Sequence, residues 1–447
     1  MTTPICEFVR RYAQQDALRL HMPGHKGSGP LGVESLDLTE IDGADSLFEA
    51  DGIIRESEEN AGRLFGADTY YSTEGSSLAI RAMLMLAVRY AKSQARPPLI
   101  AAGRNAHKTF LTAAALLDFP LRWLPQKESD GYLSCRVTAD DVEAFLKASP
   151  TLPVAVYLTS PDYLGNTVDV ASIAEVCHRF GVLLLIDNAH GAYLKFLNPS
   201  RHPIDLGADA CADSAHKTLS ALTGSAYLHL SHRAPSAFCI GAKEALATFA
   251  STSPSYLILQ SLDALNRTLD EGYSHRLQEF GRLANDAKAR LCRNGYVFCG
   301  NEPLKWTVDA KKRGYLGTEL AELLRRTGIV CEFADRDYLV LMLTPEIGTL
   351  GLERLETALD AIPSRAVIRE QPPRPTVGRA VMSVREAMLS PFEQVSPKEA
   401  VGRILASPSV SCPPAVPIVV SGELIDENAV KAFSYYGIES CSVVKEP

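Results

Sequence analysis

Five apolar residues in a row, Val182–Ile186, run straight into Asp187. A strand with one wet face alternates apolar and polar residues, whereas an unbroken apolar run suits a strand covered on both faces. A similar run occurs at Val154–Thr159, a shorter one at Leu99–Ala102, and mainly apolar ones, each with a single polar residue, at Ala226–Leu230 and Ala208–Ala212. Between them lie segments of helical period. Ile53–Phe65 ends at Gly66. After a short strand at Thr69–Thr73, Gly75-Ser-Ser opens an apolar helix to about Ser93, with Leu78, Met83, Leu86 and Tyr90 at helical spacing. Lys108–Leu117 reads as a helix, as does Val170–Phe180, with Asp169 as its N-cap and Gly181 closing it. Strand and helix in alternation predict an α/β fold with a mostly parallel sheet. In such sheets ligands bind beyond the carboxyl ends of the strands.

The chain of 447 residues is long enough for more than one domain. The first fifty-one residues are polar and turn-rich, with His21-Met-Pro-Gly-His-Lys26 and the acidic residues Glu40, Asp42, Asp45, Glu49 and Asp51. They read as an N-terminal arm or lid. Residues 52–300 form the large domain, with a long helical stretch at Tyr256–Arg293. Residues 301–362 alternate strand and helix as a small α+β domain. Residues 363–379, with Gln371-Pro-Pro-Arg-Pro375, read as a linker, and 380–447 as a C-terminal subdomain.

Composition narrows the function classes. A net charge of −8 disfavours a nucleic-acid partner. No apolar run reaches membrane-spanning length, and Met1–Arg11 lacks the apolar core of a secretory signal. The ten cysteines never form C-x-x-C, which points to reduced thiols in a cytoplasmic protein rather than to a disulfide framework or a zinc site. A metal hydrolase built on His21, His25, Asp187 and His190 lacks a recognised ligand spacing, and no metal is expected.

Four polar clusters fall just after strands. Ser72-Thr-Glu-Gly-Ser-Ser77 offers a tight turn at Gly75, a helix start and two hydroxyls, Ser76 and Ser77, which together suit a phosphate. Arg104-Asn-Ala-His107-Lys108 brings an imidazole. Asp187-Asn-Ala189-His190-Gly191 brings a carboxylate at the end of the most apolar strand. Asp213-Ser214-Ala-His216-Lys217-Thr218 brings a lysine. Each alone has an ordinary reading: an N-cap, a structural histidine, a turn aspartate, a solvated lysine. Together they are the set that pyridoxal 5'-phosphate requires. A lysine amine forms a Schiff base with the aldehyde, a carboxylate keeps the pyridine nitrogen protonated, a flat ring stacks on the cofactor, and a helix start with hydroxyls takes the phosphate.

These motifs, in this order, resemble the Orn/Lys/Arg decarboxylase family of pyridoxal-phosphate enzymes. Ser251-Thr-Ser-Pro-Ser-Tyr256, Pro413-Pro-x-x-Pro417 and Gly422-Glu423 extend the likeness over nearly the whole chain. The resemblance implies an aspartate-aminotransferase-like (fold type I) large domain with a smaller C-terminal α+β domain. It implies Lys217 as the Schiff-base lysine, Asp187 as the partner of the pyridine nitrogen and His107 as the stacking residue. Ser76, Ser77, Ser214 and His216 become phosphate ligands. Gly75 and His190 join the cofactor site, and Ala189 packs on the ring face opposite His107. It further implies a homodimer with the active site at the interface, where Ser251, Thr252 and Ser253 reach the neighbouring subunit's cofactor. The implied activity is decarboxylation of lysine, arginine or ornithine to a diamine or agmatine, a step of polyamine biosynthesis. An aminotransferase or another lyase would use the same cofactor set, whereas a non-catalytic regulatory homologue is disfavoured because Lys217 and Asp187 are both present. The proton donor to Cα stays open between Lys217 and a histidine. The acidic arm is either a partner for the substrate's distal cation or a solvated loop. With His21 so near the start, the receiver-like N-terminal domain of larger members is expected to be absent. Ser421 departs from the family's usual proline before Gly-Glu.

Overall fold

The computed structural model describes residues 1–127, 131–412 and 416–446. Pro413 and its two successors, part of the C-terminal proline motif, lie outside the described residues. In chain order the strands are β1 (Ala67–Ser72), β2 (Ile100–Ala102), β3 (Leu121–Trp123), β4 (Ala155–Thr159), β5 (Leu183–Asp187), β6 (Ala210–Asp213) and β7 (Ala226–Ser231). They are followed by β8 (Phe298–Cys299), β9 (Lys305–Asp309), β10 (Phe333–Ala334), β11 (Tyr338–Met342), β12 (Phe392–Val395), β13 (Ser409–Cys412), β14 (Val416–Val420) and β15 (Cys441–Val444). The chain forms two compact units, each discontinuous in sequence. The first comprises residues 1–97 and 170–276, the second 98–169 and 277 onward.

In the first unit β1, β7, β6 and β5 lie side by side in that order. β5 and β6 are parallel, while β7 runs antiparallel to both β6 and β1. β1, β5 and β6 therefore point the same way. The register places Ser72 opposite Ala226, Asp213 opposite Tyr227 and Asp187 opposite Ala212, so all three carboxyl ends emerge at one edge. All five residues of β5 are buried, as its unbroken apolar run requires. Each fully buried leucine there contributes on the order of 1.5–3 kcal/mol of hydrophobic stabilisation. The helix Val170–Arg179 ends as expected: Gly181 takes a left-handed φ of 63°, and the Val182 amide reaches back to the Cys177 carbonyl at 3.0 Å.

Two sequence expectations give way here. The polar opening holds a helix, Pro4–Ala13, whose Ile5, Cys6 and Val9 are buried and whose Cys6 amide donates to Asp263 at 2.9 Å. The long stretch from Tyr256 is two helices, Tyr256–Thr268 and Ser274–Arg293. The backbone leaves the helical region at Glu271 and Gly272, and Gly272 carries a φ of 81° that favours glycine.

In the second unit β4, β2 and β3 are parallel neighbours, with Ala102 and Trp123, the last residues of β2 and β3, level with each other and Ala102 level with Tyr157 in the middle of β4. A separate antiparallel sheet follows the order β10, β11, β9, β8. The C-terminal strands and the helix Glu427–Tyr435 pack into a core shared with earlier segments: Val419, Phe433 and Val443 belong to one buried cluster with Leu164 and Val340. Among the described cysteines all are free thiols, and Cys6, Cys135, Cys177, Cys211 and Cys441 are buried.

Candidate active site

In the first unit the three junctions at the shared edge carry the residues singled out from the sequence. Gly75 follows β1 with a φ of 69°, and its amide donates to the Gly224 carbonyl at 2.8 Å. That turn starts the helix Gly75–Ser93, whose first amides lack intrahelical partners. The Ser72 hydroxyl stabilises the turn by donating to the Gly75 carbonyl at 2.8 Å. Ser76 is buried, and the Ser214 hydroxyl, from the β6 junction, donates to the Ser76 hydroxyl at 2.8 Å. Two junctions thus pool amides and hydroxyls at one place, a donor-rich setting for an anion.

Asp187 ends β5 only 2% exposed, and one of its oxygens accepts from the Ala189 amide at 3.2 Å. Ala189 and His190 are buried beside it. Lys217 stands on the short helix Ala215–Thr218 after β6, half-buried, with its Nζ 3.3 Å from His190 Nε2. His216 Nδ1 lies 3.0 Å from the Ser225 carbonyl; a carbonyl only accepts, so Nδ1 carries the hydrogen. The structure therefore gathers Gly75, Ser76, Asp187, Ala189, His190, Ser214, His216 and Lys217 along one edge, with Ser77 the third residue of the helix.

His107 belongs to the second unit, where it caps the helix Lys108–Leu117 after β2. Its Nδ1 accepts from the Thr109 amide at 3.3 Å, which leaves the hydrogen of the neutral ring on Nε2. Arg104, three residues earlier, is 3% exposed. Its guanidinium makes a two-pronged ion pair with Glu423 at 3.0 and 2.7 Å, donates to the Ile418 carbonyl and covers the Trp123 ring at 4.8 Å. The motifs Arg104-Asn-x-His107 and Gly422-Glu423 are thus two halves of one contact. Ser421 is buried, with its hydroxyl donating to the Ala406 carbonyl at 3.0 Å and its amide to the Pro408 carbonyl at 3.2 Å.

Asp45 is buried and accepts from the amides of Ser46, Asp51, Gly52, Ile54 and Arg55, so it organises the start of the helix Ile53–Phe65. Glu40, Asp42, Glu49 and Asp51 are exposed. His21 pairs with Tyr12 at 2.6 Å and His25 with Asp37 at 3.3 Å. Among the described residues the group with metal-ligand spacing is His202, Cys211 and Asp213, which includes none of His21, His25, Asp187 and His190. Ser251–Ser253 are exposed, and the Ser251 amide donates to Glu74 in the Gly75 turn at 2.7 Å. Asn188 and Asp213, given no role from sequence, are buried inside the cofactor motifs; their positions next to Asp187 and Ser214 were the available signal.

Residues 3–299 match the Orn/Lys/Arg decarboxylase major domain. The chain belongs to the Orn/Lys/Arg decarboxylase family. Among relatives of this family member, an arginine decarboxylase of Bacillus subtilis is 28% identical over 460 residues, covering 96% of this chain and 92% of the relative. An arginine decarboxylase of Halalkalibacterium halodurans is also 28% identical, covering 95% and 91%. The Escherichia coli constitutive lysine decarboxylase superposes with a TM-score of 0.77 at 18% identity, over 99% of this chain and 82% of that one. The lysine decarboxylase of Francisella novicida gives 0.81 at 16% identity, over 99% and 81%. The fold is the α/β, aspartate-aminotransferase-like fold type I.

Proposed function

We propose that this family member is a pyridoxal-phosphate-dependent decarboxylase of a basic L-amino acid, lysine, arginine or ornithine, releasing carbon dioxide and a diamine or agmatine. The observation that carries the reading is the meeting of Lys217, buried Asp187 and the Ser76–Ser214 hydroxyl pair at one strand edge, in a chain whose major domain matches that family.

The residues present fit the cofactor by the chemistry of their donors. Ser76, Ser77, Ser214, His216 and the amides after Gly75 would hold a phosphate. Asp187 would hold a protonated ring nitrogen, Lys217 would bond the aldehyde carbon, and Ala189 would pack on one face of the ring. When bound, pyridoxal phosphate supplies an electron sink for the pair released as the carboxylate leaves. The chain's own groups supply placement and a proton. Asp187, desolvated at its strand end, would hold the protonated ring nitrogen in place. Lys217 Nζ and His190 Nε2 lie 3.3 Å apart, within hydrogen-bond reach, and we place the donor to Cα in that pair.

The same reading includes a homodimer, for which the exposed Ser251–Ser253 segment offers surface, and a cytoplasmic location, with which the buried free thiols accord. No helix among the described residues is long and apolar enough to cross a membrane. The test is to feed lysine, arginine and ornithine to the purified protein supplied with pyridoxal phosphate, trap the carbon dioxide and identify the amine by mass spectrometry. One of the three should yield carbon dioxide and amine in equal amounts. Carbon dioxide from none of them would overturn the substrate assignment.

A further inference from the structure

A buried polar relay stands directly behind the Asp187 and Lys217 loops. Asp213, the last residue of β6, is fully buried, as are His202 and His229. One Asp213 oxygen lies 3.0 Å from His202 Nε2 and 3.4 Å from His229 Nε2. The other accepts from Asn188 Nδ2 at 2.7 Å. His229 Nδ1 in turn lies 2.8 Å from the Thr69 hydroxyl in β1. The relay therefore touches all three elements that lead into the candidate site: β1 before Gly75, the β5 end at Asn188 and the β6 end at Asp213.

Its position gives it a task that backbone pairing does not perform. The parallel register between β5 and β6 ends at Asp187 and Ala212, and the Asn188 amide makes one last contact with the Ala212 carbonyl at 3.0 Å. Beyond it one strand continues into Ala189 and His190, the other into Ser214, His216 and Lys217. The Asn188–Asp213 hydrogen bond is a side-chain tie at the point where the two segments part. Burial pushes the Asp213 carboxyl up, but the two imidazoles outweigh it and hold the group well below the usual carboxylate range, so the acceptor stays ionised. A hydrogen bond to an ionised acceptor is about twice as strong as a neutral one.

Resting on the decarboxylase reading, we infer that Asn188 and Asp213 are positioning residues: their hydrogen bond sets the spacing between the Asp187–His190 loop and the Lys217 loop. Neither touches the reacting atoms in this account. A small displacement of such loops is enough to lower turnover and cofactor affinity while the fold persists.

The test compares the purified wild-type protein with Asn188→Ala, and Asp213→Ala with Asp213→Asn. Asn188→Ala leaves the Asp213–His202 contact in place. Pyridoxal phosphate is titrated into each apo protein, and its dissociation constant, the visible absorption band, kcat and KM are measured, with a melting curve as the fold control. In Asn188→Ala we expect cofactor affinity and kcat each to fall by about tenfold or more, with KM within about threefold. Asp213→Asn keeps an oxygen for Asn188 and should recover much of what Asp213→Ala loses. Affinity and kcat both within about threefold of wild type in Asn188→Ala would overturn the inference, whatever the melting curve shows. Failure of the wild-type protein itself to take up pyridoxal phosphate would instead overturn the cofactor reading, so the two failures are distinct.

Discussion

Replacing Glu423 by glutamine removes one charge from a contact that is buried away from solvent. Arg104 is 3% exposed and Glu423 1%. The carboxylate takes two hydrogen bonds from the guanidinium, at 3.0 and 2.7 Å, and a third from the Val420 amide at 3.0 Å. The side-chain amide in Glu423→Gln would keep one good acceptor but turn an NH2 group toward a donor, leaving Arg104 a buried charge without its counterion. Breaking one side of a buried ion pair costs about 3–5 kcal/mol. Both tryptophans, Trp123 and Trp306, lie in the second unit with this pair, so their emission reports unfolding of that unit. With a urea dependence of about 3 kcal/mol per molar, the unfolding midpoint should drop by about 1–1.7 M. Removing both partners as Arg104→Met with Glu423→Leu should cost less than the sum of the single variants, since no buried charge is stranded. A midpoint shift in Glu423→Gln below about 0.3 M, or additive single variants, would refute the reasoning.

Two further outcomes follow from the same structure. Asp335 is buried, and burial pushes its carboxyl up to about 6 even though the Tyr338 and Asp337 amides donate to it. A raised carboxyl favours the folded state fully below its unfolded value and loses that contribution as pH climbs through about 6. Wild type should therefore lose about 2–3 kcal/mol between pH about 4 and about 7 that Asp335→Asn does not lose; parallel urea-midpoint curves against pH, read by tryptophan emission, would contradict this. Gly224 has a φ of 99°, and an added Cβ would stand 2.8 Å from the Thr73 carbonyl. Gly224→Ala should cost about 1–2 kcal/mol of backbone strain and displace the Gly75 turn, weakening pyridoxal-phosphate affinity in an equilibrium titration; unchanged affinity would contradict it.

The parts of the fold that rest on local chemistry were legible in the chain. The run Val182–Ile186 declares a strand covered on both faces, and the polar groups after it mark the sheet edge where Asp187 lies. The Gly181 stop and the helix start at Gly75 follow from residue type alone. What escaped depends on contacts between distant positions. The helix Pro4–Ala13 buries only a narrow stripe under a polar face, and its anchor is Asp263. The break at Gly272 hides in a pattern that a single glycine does not interrupt. Asp45 reads as one more acid of an acidic arm until the amides that surround it are seen. Arg104 and Glu423, 319 residues apart, and the relay of Asp213 with His202, Asn188 and His229 have no periodic or spacing signature at all.

Everything proposed for the site depends on the amine of Lys217. Borohydride reduction of the purified protein with pyridoxal phosphate, followed by peptide mapping, fixes any imine as a stable secondary amine on the lysine that bore it. The phosphopyridoxyl mass should appear on the peptide containing Lys217 and vanish in Lys217→Ala along with turnover. Label on a different lysine, or turnover that survives the alanine, would contradict the account.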